Sequence, residues 1–355
     1  YGLKNNGMGC NINHPSVSRD LENFDKPHGV LGIIVKALSI RMLSSTLPFT
    51  VLCCDNLPNN GKLIGEAIVD FARHIDPVLA KWIKKNTAFP STMVDRITPA
   101  PTKKTLSDAK KIIGYVDLGA IETEPFYDWI IEDNFPLGRP NWDLAGAIFT
   151  NDVSPYEKMK LRMLNGSHSM MAYTGFHCGH KYVYNVMSDK KIETLVRRHM
   201  LAASETLSDK NSIDYKLYAK SLVERFRNSS IKHETLQIAM DGSQKIYQRI
   251  LLPLEEAFET NISHRPFTFA MAAWLRHISG ATHDCEIYDV KDPLVKEFSK
   301  MHFTSDPKTL SRELYDLGLV KPSLLKKEVI WKEIFLILQQ MLTHSMTDVI
   351  TSEFK

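Results

Sequence analysis

The chain has 355 residues, 43% of them hydrophobic and 24% charged, a composition that supports a packed core and argues against disorder. The length predicts about two domains. Lysine and arginine number 44 against 41 acidic residues, so the net charge is +3, too balanced for a dedicated nucleic-acid binder.

Residues 1–28 are rich in Gly, Asn and Pro and read as loops. Residues 29–43 carry Ile33, Ile34, Ala37, Leu38 and Met42 at helical spacing, which predicts a helix. Residues 49–53 form a continuous apolar run of the kind a doubly buried strand needs. This run empties into Asp55-Asn56-Leu57-Pro58-Asn59-Asn60-Gly61, and residues 62–74 turn helical, which reads as half of a βαβ unit. Residues 77–86 form another helix, and 89–99, with prolines at 90 and 99, read as a rigid loop. Strands are expected at 118–123, 129–131 and 147–149. From Pro155 onward helix follows helix: 156–176, 191–203, 215–226, 235–258, 267–278 and 324–346. The expected fold class is therefore α/β plus all-α. An α/β half occupies 1–152 and an all-helical half 153–355.

Several kinds of chemistry are disfavoured. No apolar run reaches the roughly 18–20 residues of a membrane span; the best candidate, 329–338, is interrupted by Lys332 and Glu333. Residues 1–13 lack the charged start and apolar stretch of a signal peptide. The five cysteines (Cys10, Cys53, Cys54, Cys178, Cys285) contain no C-x-x-C, which fits a reducing cytoplasm better than a disulfide framework. His177, Cys178 and His180 lack a fourth ligand at suitable spacing, so no metal is expected. No Walker A motif and no G-x-G-x-x-G are present, and Gly7-Met8-Gly9 is only a fragment of such a turn.

The informative element begins near Pro155. Taking Lys160 as zero on an α-helix, Glu157 falls at about 60°, His168 at about 80° and Asn165 at about 140°. Met159, Met163 and Met170 lie opposite. Such a polar stripe is either a solvated face or a pocket wall holding a tunable base. A desolvated lysine loses its preference for the charged form and can then accept a proton, while Asn165 and His168 can bind an oxygen beside it. A second polar cluster, Asp241-Gly242-Ser243-Gln244-Lys245 with Gln248-Arg249, is either a helix interruption with exposed charges or part of a site. Asp55-Asn56 follows a predicted strand, the end of an open α/β sheet where ligands gather.

These segments resemble the mannitol dehydrogenase family, the polyol-specific long-chain dehydrogenases that also include fructuronate (mannonate) and tagaturonate reductases. Four motifs match in order: Cys54-Asp55-Asn56-Leu57-Pro58-Asn59-Asn60-Gly61; Met93-Val94-Asp95-Arg96-Ile97-Thr98-Pro99; Lys160-Leu161-Arg162-Met163-Leu164-Asn165-Gly166-Ser167-His168; and Asp241-Gly242-Ser243-Gln244-Lys245. The resemblance implies metal-free interconversion of a secondary alcohol and a ketone on an open-chain sugar derivative, with NAD or NADP as cofactor. It implies that Lys160 is the general acid/base and that Asn56 and Asn165 polarise the reacting oxygen. By the same match His168 and Asp95 hold substrate, and Glu157 connects the lysine to solvent. Arg249, Lys245 or Arg96 would supply the cation that a uronate carboxylate requires.

Two departures stand out. Tyr247 occupies a position where the family usually has proline, which bears on the local turn and on Lys245. The family also opens with a glycine-rich cofactor turn that these residues do not include. The resemblance implies that 1–152 is a partial Rossmann-like dinucleotide-binding domain and that Tyr1 falls late in it, with on the order of a hundred residues before it. The cofactor-binding residues are therefore not named. The expected partner is a small polyol, ketose or hexuronate, with neither nucleic acid nor membrane. The rival expectation is a non-catalytic remnant or interaction module that keeps the substrate wall without the cofactor fingerprint.

Overall fold

The computed structural model describes residues 2–3, 9–208 and 213–354. Tyr1, and the Gly7 and Met8 of the Gly7-Met8-Gly9 fragment, lie outside the described residues. Two compact units divide the chain: Tyr1–Arg96 with Phe126–Glu157, and Ile97–Pro125 with Lys158–Lys355.

The first unit is α/β. Helices Val30–Leu43, Asn60–Ile75 and Pro77–Asn86 bury Val35, Leu38, Ile64, Ile68, Phe71, Leu79 and Ile83 in one cluster. Asp76 ends one helix and starts the next. Its carboxylate accepts the Val78 amide at 2.8 Å, and Pro77 occupies the first turn, where no amide donor is required. The three strands are β1 (Thr92–Asp95), β2 (Asp128–Glu132) and β3 (Ile148–Thr150). β1 runs antiparallel to β2, with Thr92 opposite Ile131, and β2 runs parallel to β3, with Ile130 opposite Ile148. Ile130 and Ile131 point to opposite faces of β2 and are both buried, so this central strand is covered on both sides.

Several elements differ from the sequence reading. Residues 92–95 pair as β1 inside the expected proline-rich loop, because the prolines at 90 and 99 lie outside the hydrogen-bonded stretch. The 49–53 run is extended but joins no strand of this sheet. Val51 donates to Ala88 O at 3.0 Å, and Cys53 O accepts from the Thr92 hydroxyl at 2.7 Å. Residues 118–123 are irregular, with Leu118 and Ile121 exposed.

The second unit is helical. Helix Arg265–Ile278 is buried at every residue from Phe267 to Ile278, which marks the centre of a helical core. Around it lie helices Gly166–His177, Lys190–Glu205 and Glu328–Thr343, among others. The expected helix over 235–258 is broken at Asp241, whose φ of 54° lies in the left-handed region. Past that break the chain forms a π turn, Tyr247–Leu251, before helix Leu252–Glu259. Pro253 accounts for it, since it has no N–H to give the Arg249 carbonyl. The expected 324–346 helix is likewise divided, into Pro322–Leu325, Glu328–Thr343 and Met346–Ser352.

Where the sequence reading places one boundary at 152/153, the compact units part at 96/97, 125/126 and 157/158. The excursion Ile97–Pro125 belongs with the helices for an electrostatic reason. Buried Glu124 accepts the Ile97 amide at 2.6 Å and two guanidinium nitrogens of buried Arg225 at 2.8 and 2.9 Å. Removing either partner would strand a charge in the interior. This segment also holds an unanticipated helix, Lys103–Ile113, opened by reciprocal Thr102 and Thr105 caps.

Candidate active site

In the first unit, the Asp55–Gly61 motif is shaped by residues that are themselves fully packed. Asn60 is 1% exposed. Its side-chain amide donates to Asp55 O at 2.9 Å and Thr92 O at 3.0 Å, and its Oδ1 accepts the Thr92 amide at 2.9 Å. The loop is thereby tied to β1. Gly61 faces the chain at Phe89 and Pro90 so closely that a Cβ would stand 2.4 Å from Phe89 O; only glycine permits this approach. Asn56 is exposed on that loop. Asp95, at the end of β1, is 1% exposed and pairs in register with Asp128. Glu157 is buried, and its carboxylate accepts the Asn59 amide at 3.1 and 3.2 Å. Asn59 sits in the left-handed region, with φ 52°, and its amide would otherwise be an orphan at the helix start.

In the second unit, Lys160 begins a π turn, Lys160–Asn165, set between helices Ser154–Met159 and Gly166–His177. Gly166 N–H donates to Leu161 O, the i→i+5 bond that defines such a turn. The α-helical wheel therefore misplaces the stripe. It sets residues 160 and 165 about 140° apart, whereas a π turn brings residue i+5 nearly over residue i. Asn165 is 6% exposed, and its Nδ2 is buried without a hydrogen-bond partner. The same holds for His168 Nε2. The His168 ring lies 4.5 Å from the Phe226 ring and 5.3 Å from His233. Burial, then the neighbouring His233, Arg249 and Arg225, holds its pKa well below the ordinary histidine value, so it is a neutral imidazole. Met159, Met163 and Met170 are buried as expected.

The 241–249 cluster is no exposed interruption. Lys245 is half-buried, Nζ donates to Met240 O, and burial is the leading cause lowering its pKa. Arg249 donates from Nη1 to Ser169 Oγ at 3.1 Å and towards Asn165 O at 3.5 Å. Desolvation lowers its pKa to about 10, still a cation at neutral pH. Among the described residues no carboxylate pairs with it. Four site residues of this unit, Asn165, His168, Lys245 and Arg249, thus gather on or beside the two π turns, with Lys160 opening the first.

Two structurally important groups escaped the sequence reading. Arg162 belongs to the quoted motif but carried no role. Asp292, outside every motif, accepts the Ser243 amide at 2.8 Å, the Ser243 hydroxyl at 2.6 Å and the Leu294 amide at 3.0 Å. Elsewhere Cys10, Asp70 and His74 bring possible ligand atoms within 4.8 Å of one another. Asp70 there is already engaged by the Cys10 amide and by Arg73.

Residues 152–329 match the model of the mannitol dehydrogenase C-terminal domain, and residues 7–144 match that of the mannitol dehydrogenase Rossmann domain. The chain belongs to the mannitol dehydrogenase family. Among curated relatives, the D-mannonate oxidoreductase of Escherichia coli K12 is 42% identical over 292 residues, 82% of this chain and 60% of that protein. The mannitol 2-dehydrogenase of Aspergillus terreus is 37% identical over 306 residues, 84% of this chain and 60% of that protein. The chain thus spans about three-fifths of the length of these relatives. Among solved structures, the ternary complex of Pseudomonas fluorescens mannitol 2-dehydrogenase with NAD and D-mannitol superposes with a TM-score of 0.84 at 28% identity, covering 100% of this chain and 72% of that one. This family's architecture, a Rossmann-type domain with a helical C-terminal domain, matches the α/β and helical units seen here. Among the described residues no helix is long and apolar enough to cross a membrane.

Proposed function

We propose that the protein is an NAD-dependent oxidoreductase that interconverts a secondary alcohol and a ketone on an open-chain hexuronate derivative, with Lys160 as general acid/base. The observation that carries this reading is the pair of buried, unpartnered nitrogens, Asn165 Nδ2 and His168 Nε2, on the helix that Lys160 opens. Buried polar atoms left without partners in the protein are suited to ligand oxygens. In the oxidation direction the substrate hydroxyl gives its proton to the Lys160 amine. The Asn165 amide then stabilises the negative charge that develops on that oxygen. The hydride acceptor for the same carbon would be NAD, the cofactor named in the mannitol 2-dehydrogenase complex. For Asn56, Asp95 and Glu157 the proposed roles in polarising oxygen, holding substrate and exchanging protons rest on the motif match. The proposed division of labour puts cofactor binding in 1–152 and substrate binding in 153–355.

Arg249 favours a uronate over an uncharged ketose. A guanidinium withdrawn from water without a carboxylate partner is costly, and a substrate carboxylate in bidentate contact offsets that cost. The D-mannonate oxidoreductase relative supports the same class. Turnover of D-fructuronate and D-fructose with NADH, measured on the full-length protein, tests the reading. Fructuronate should be preferred, and Arg249→Leu should erode that preference by at least tenfold. Preference for fructose would overturn the substrate assignment. Lys160→Ala should reduce kcat by about 10²–10⁴-fold with NADH affinity retained; a near-normal rate would remove lysine from the role of base.

A further inference from the structure

We infer that Arg162 and Glu256 form a positioning clamp that holds the catalytic π turn in register; this rests on the reading of Lys160 and Asn165 given above. Arg162 lies in the middle of Lys160–Asn165 and is 3% exposed. Its Nη1 and Nη2 reach Glu256 Oε2 and Oε1 at 2.6 and 2.9 Å, and Nη1 also donates to Thr206 O at 2.9 Å and Thr206 Oγ1 at 2.8 Å. Glu256 belongs to helix Leu252–Glu259, which follows the second π turn, and Thr206 ends helix Lys190–Glu205.

The two π turns are therefore braced in both directions. Arg162 reaches from the first to the helix beyond the second. Arg249 reaches from the second back to Asn165 O and Ser169 Oγ. Beneath the first turn, Gly166 leaves no room for a side chain, since a Cβ would lie 2.8 Å from His199 Nε2 and 3.0 Å from Arg249 O. A π turn is less favourable than the α-helix it interrupts, and Pro253 explains only the second one. The first contains no proline, so side-chain contacts must hold it. The bidentate Arg162–Glu256 pair is the strongest of these. Relaxation to an α-helix would swing Asn165 away from the face it shares with Lys160. Arg162 touches no reacting atom in this scheme; it acts through Asn165.

The test compares Arg162→Lys, Arg162→Met and Glu256→Gln in the full-length protein, each first checked for folding by its thermal midpoint. Folded variants should lose kcat by tenfold or more with NADH affinity unchanged. Arg162→Lys should keep more activity than Arg162→Met, because it retains one bond to Glu256. Amide exchange at Gly166, whose N–H makes the π bond to Leu161 O, should quicken at least tenfold in Arg162→Met, or in Glu256→Gln if the methionine variant does not fold. Exchange within twofold of the parent in a folded variant overturns the clamp whatever the activity. Faster exchange with unchanged kcat overturns its catalytic consequence. Should the parent turn over neither substrate, the proposed function fails while the exchange result still decides the clamp.

Discussion

At the scale of single residues, the motifs combine groups with a proposed role at the ligand and groups that shape the backbone. Asn56 and Asn60 stand four positions apart in one motif, and their surroundings separate them. Asn56 is exposed at the loop, whereas Asn60 spends its side-chain amide on Asp55 and Thr92. Replacing Asn60 by leucine removes the partners of the Thr92 amide and the Thr92 carbonyl, while the Asp55 carbonyl keeps the Leu57 amide, at about 1–3 kcal/mol for each unsatisfied group. Asn60→Leu should therefore lower unfolding stability by at least about 2 kcal/mol, read from urea midpoints; a change below about 0.5 kcal/mol would show that the loop is held by other means. Glu157 shows the same mixture. The resemblance casts it as a proton relay, and its carboxylate also satisfies the Asn59 amide. Periodicity could not show that second duty, because Asn59 and Glu157 are 98 positions apart.

Among elements, the two π turns decide the geometry. A wheel drawn at 100° per residue groups Lys160, Asn165 and His168 loosely on one arc, and the i→i+5 bond tightens the Lys160–Asn165 part of it. Pro253 is a visible cause of the second turn, while the cause of the first lies in contacts that reach from Arg162 to Glu256, 94 positions away. The left-handed turn at Asp241 depends on a distant group too. Asp292 receives Ser243 through both its amide and its hydroxyl, which fixes the start of the helix that bears Lys245. Asp292→Ala should cost about 1–3 kcal/mol of stability and raise KM for the uronate more than it lowers kcat. Stability and KM both at parental values would show that the turn holds itself.

Over the whole molecule, the helical unit stores several histidines in neutral form. Burial lowers the pKa of His177 to about 3 and those of His199, His233 and His277 to about 4, against an ordinary value of 6.5. Each depressed pKa contributes stability that is fully present above about 6.5, where the unfolded chain is also neutral. That contribution fades as pH falls towards the folded values, because the unfolded chain binds protons that the folded chain refuses. Unfolding stability, read from the denaturation midpoint, should therefore drop between about pH 7 and pH 5, by on the order of 2 kcal/mol for each such ring. A flat midpoint across that range would show that these rings titrate normally in the folded state.

Much of this protein is legible from its sequence, for a physical reason: local periodicity and short motifs encode local structure. Helices at 77–86 and 215–226 match the observed Pro77–Asn86 and Tyr215–Phe226, because apolar spacing and end signals act within a few turns. Family membership was equally readable, since the motif residues lie close together in the chain. Tertiary structure alone decided which unit the 97–125 segment joins, that β1 pairs within a proline-rich stretch, and that Arg249 is partly withdrawn from water with no carboxylate partner among the described residues. Each of these outcomes depends on a partner 39 or 101 residues distant or on withdrawal from water. Neither leaves a periodic mark in the sequence. In the same way, the sequence singled out Lys160, Asn165 and His168, but only the packed structure shows that two of them end in orphaned nitrogens, which is what turns a polar stripe into a candidate site.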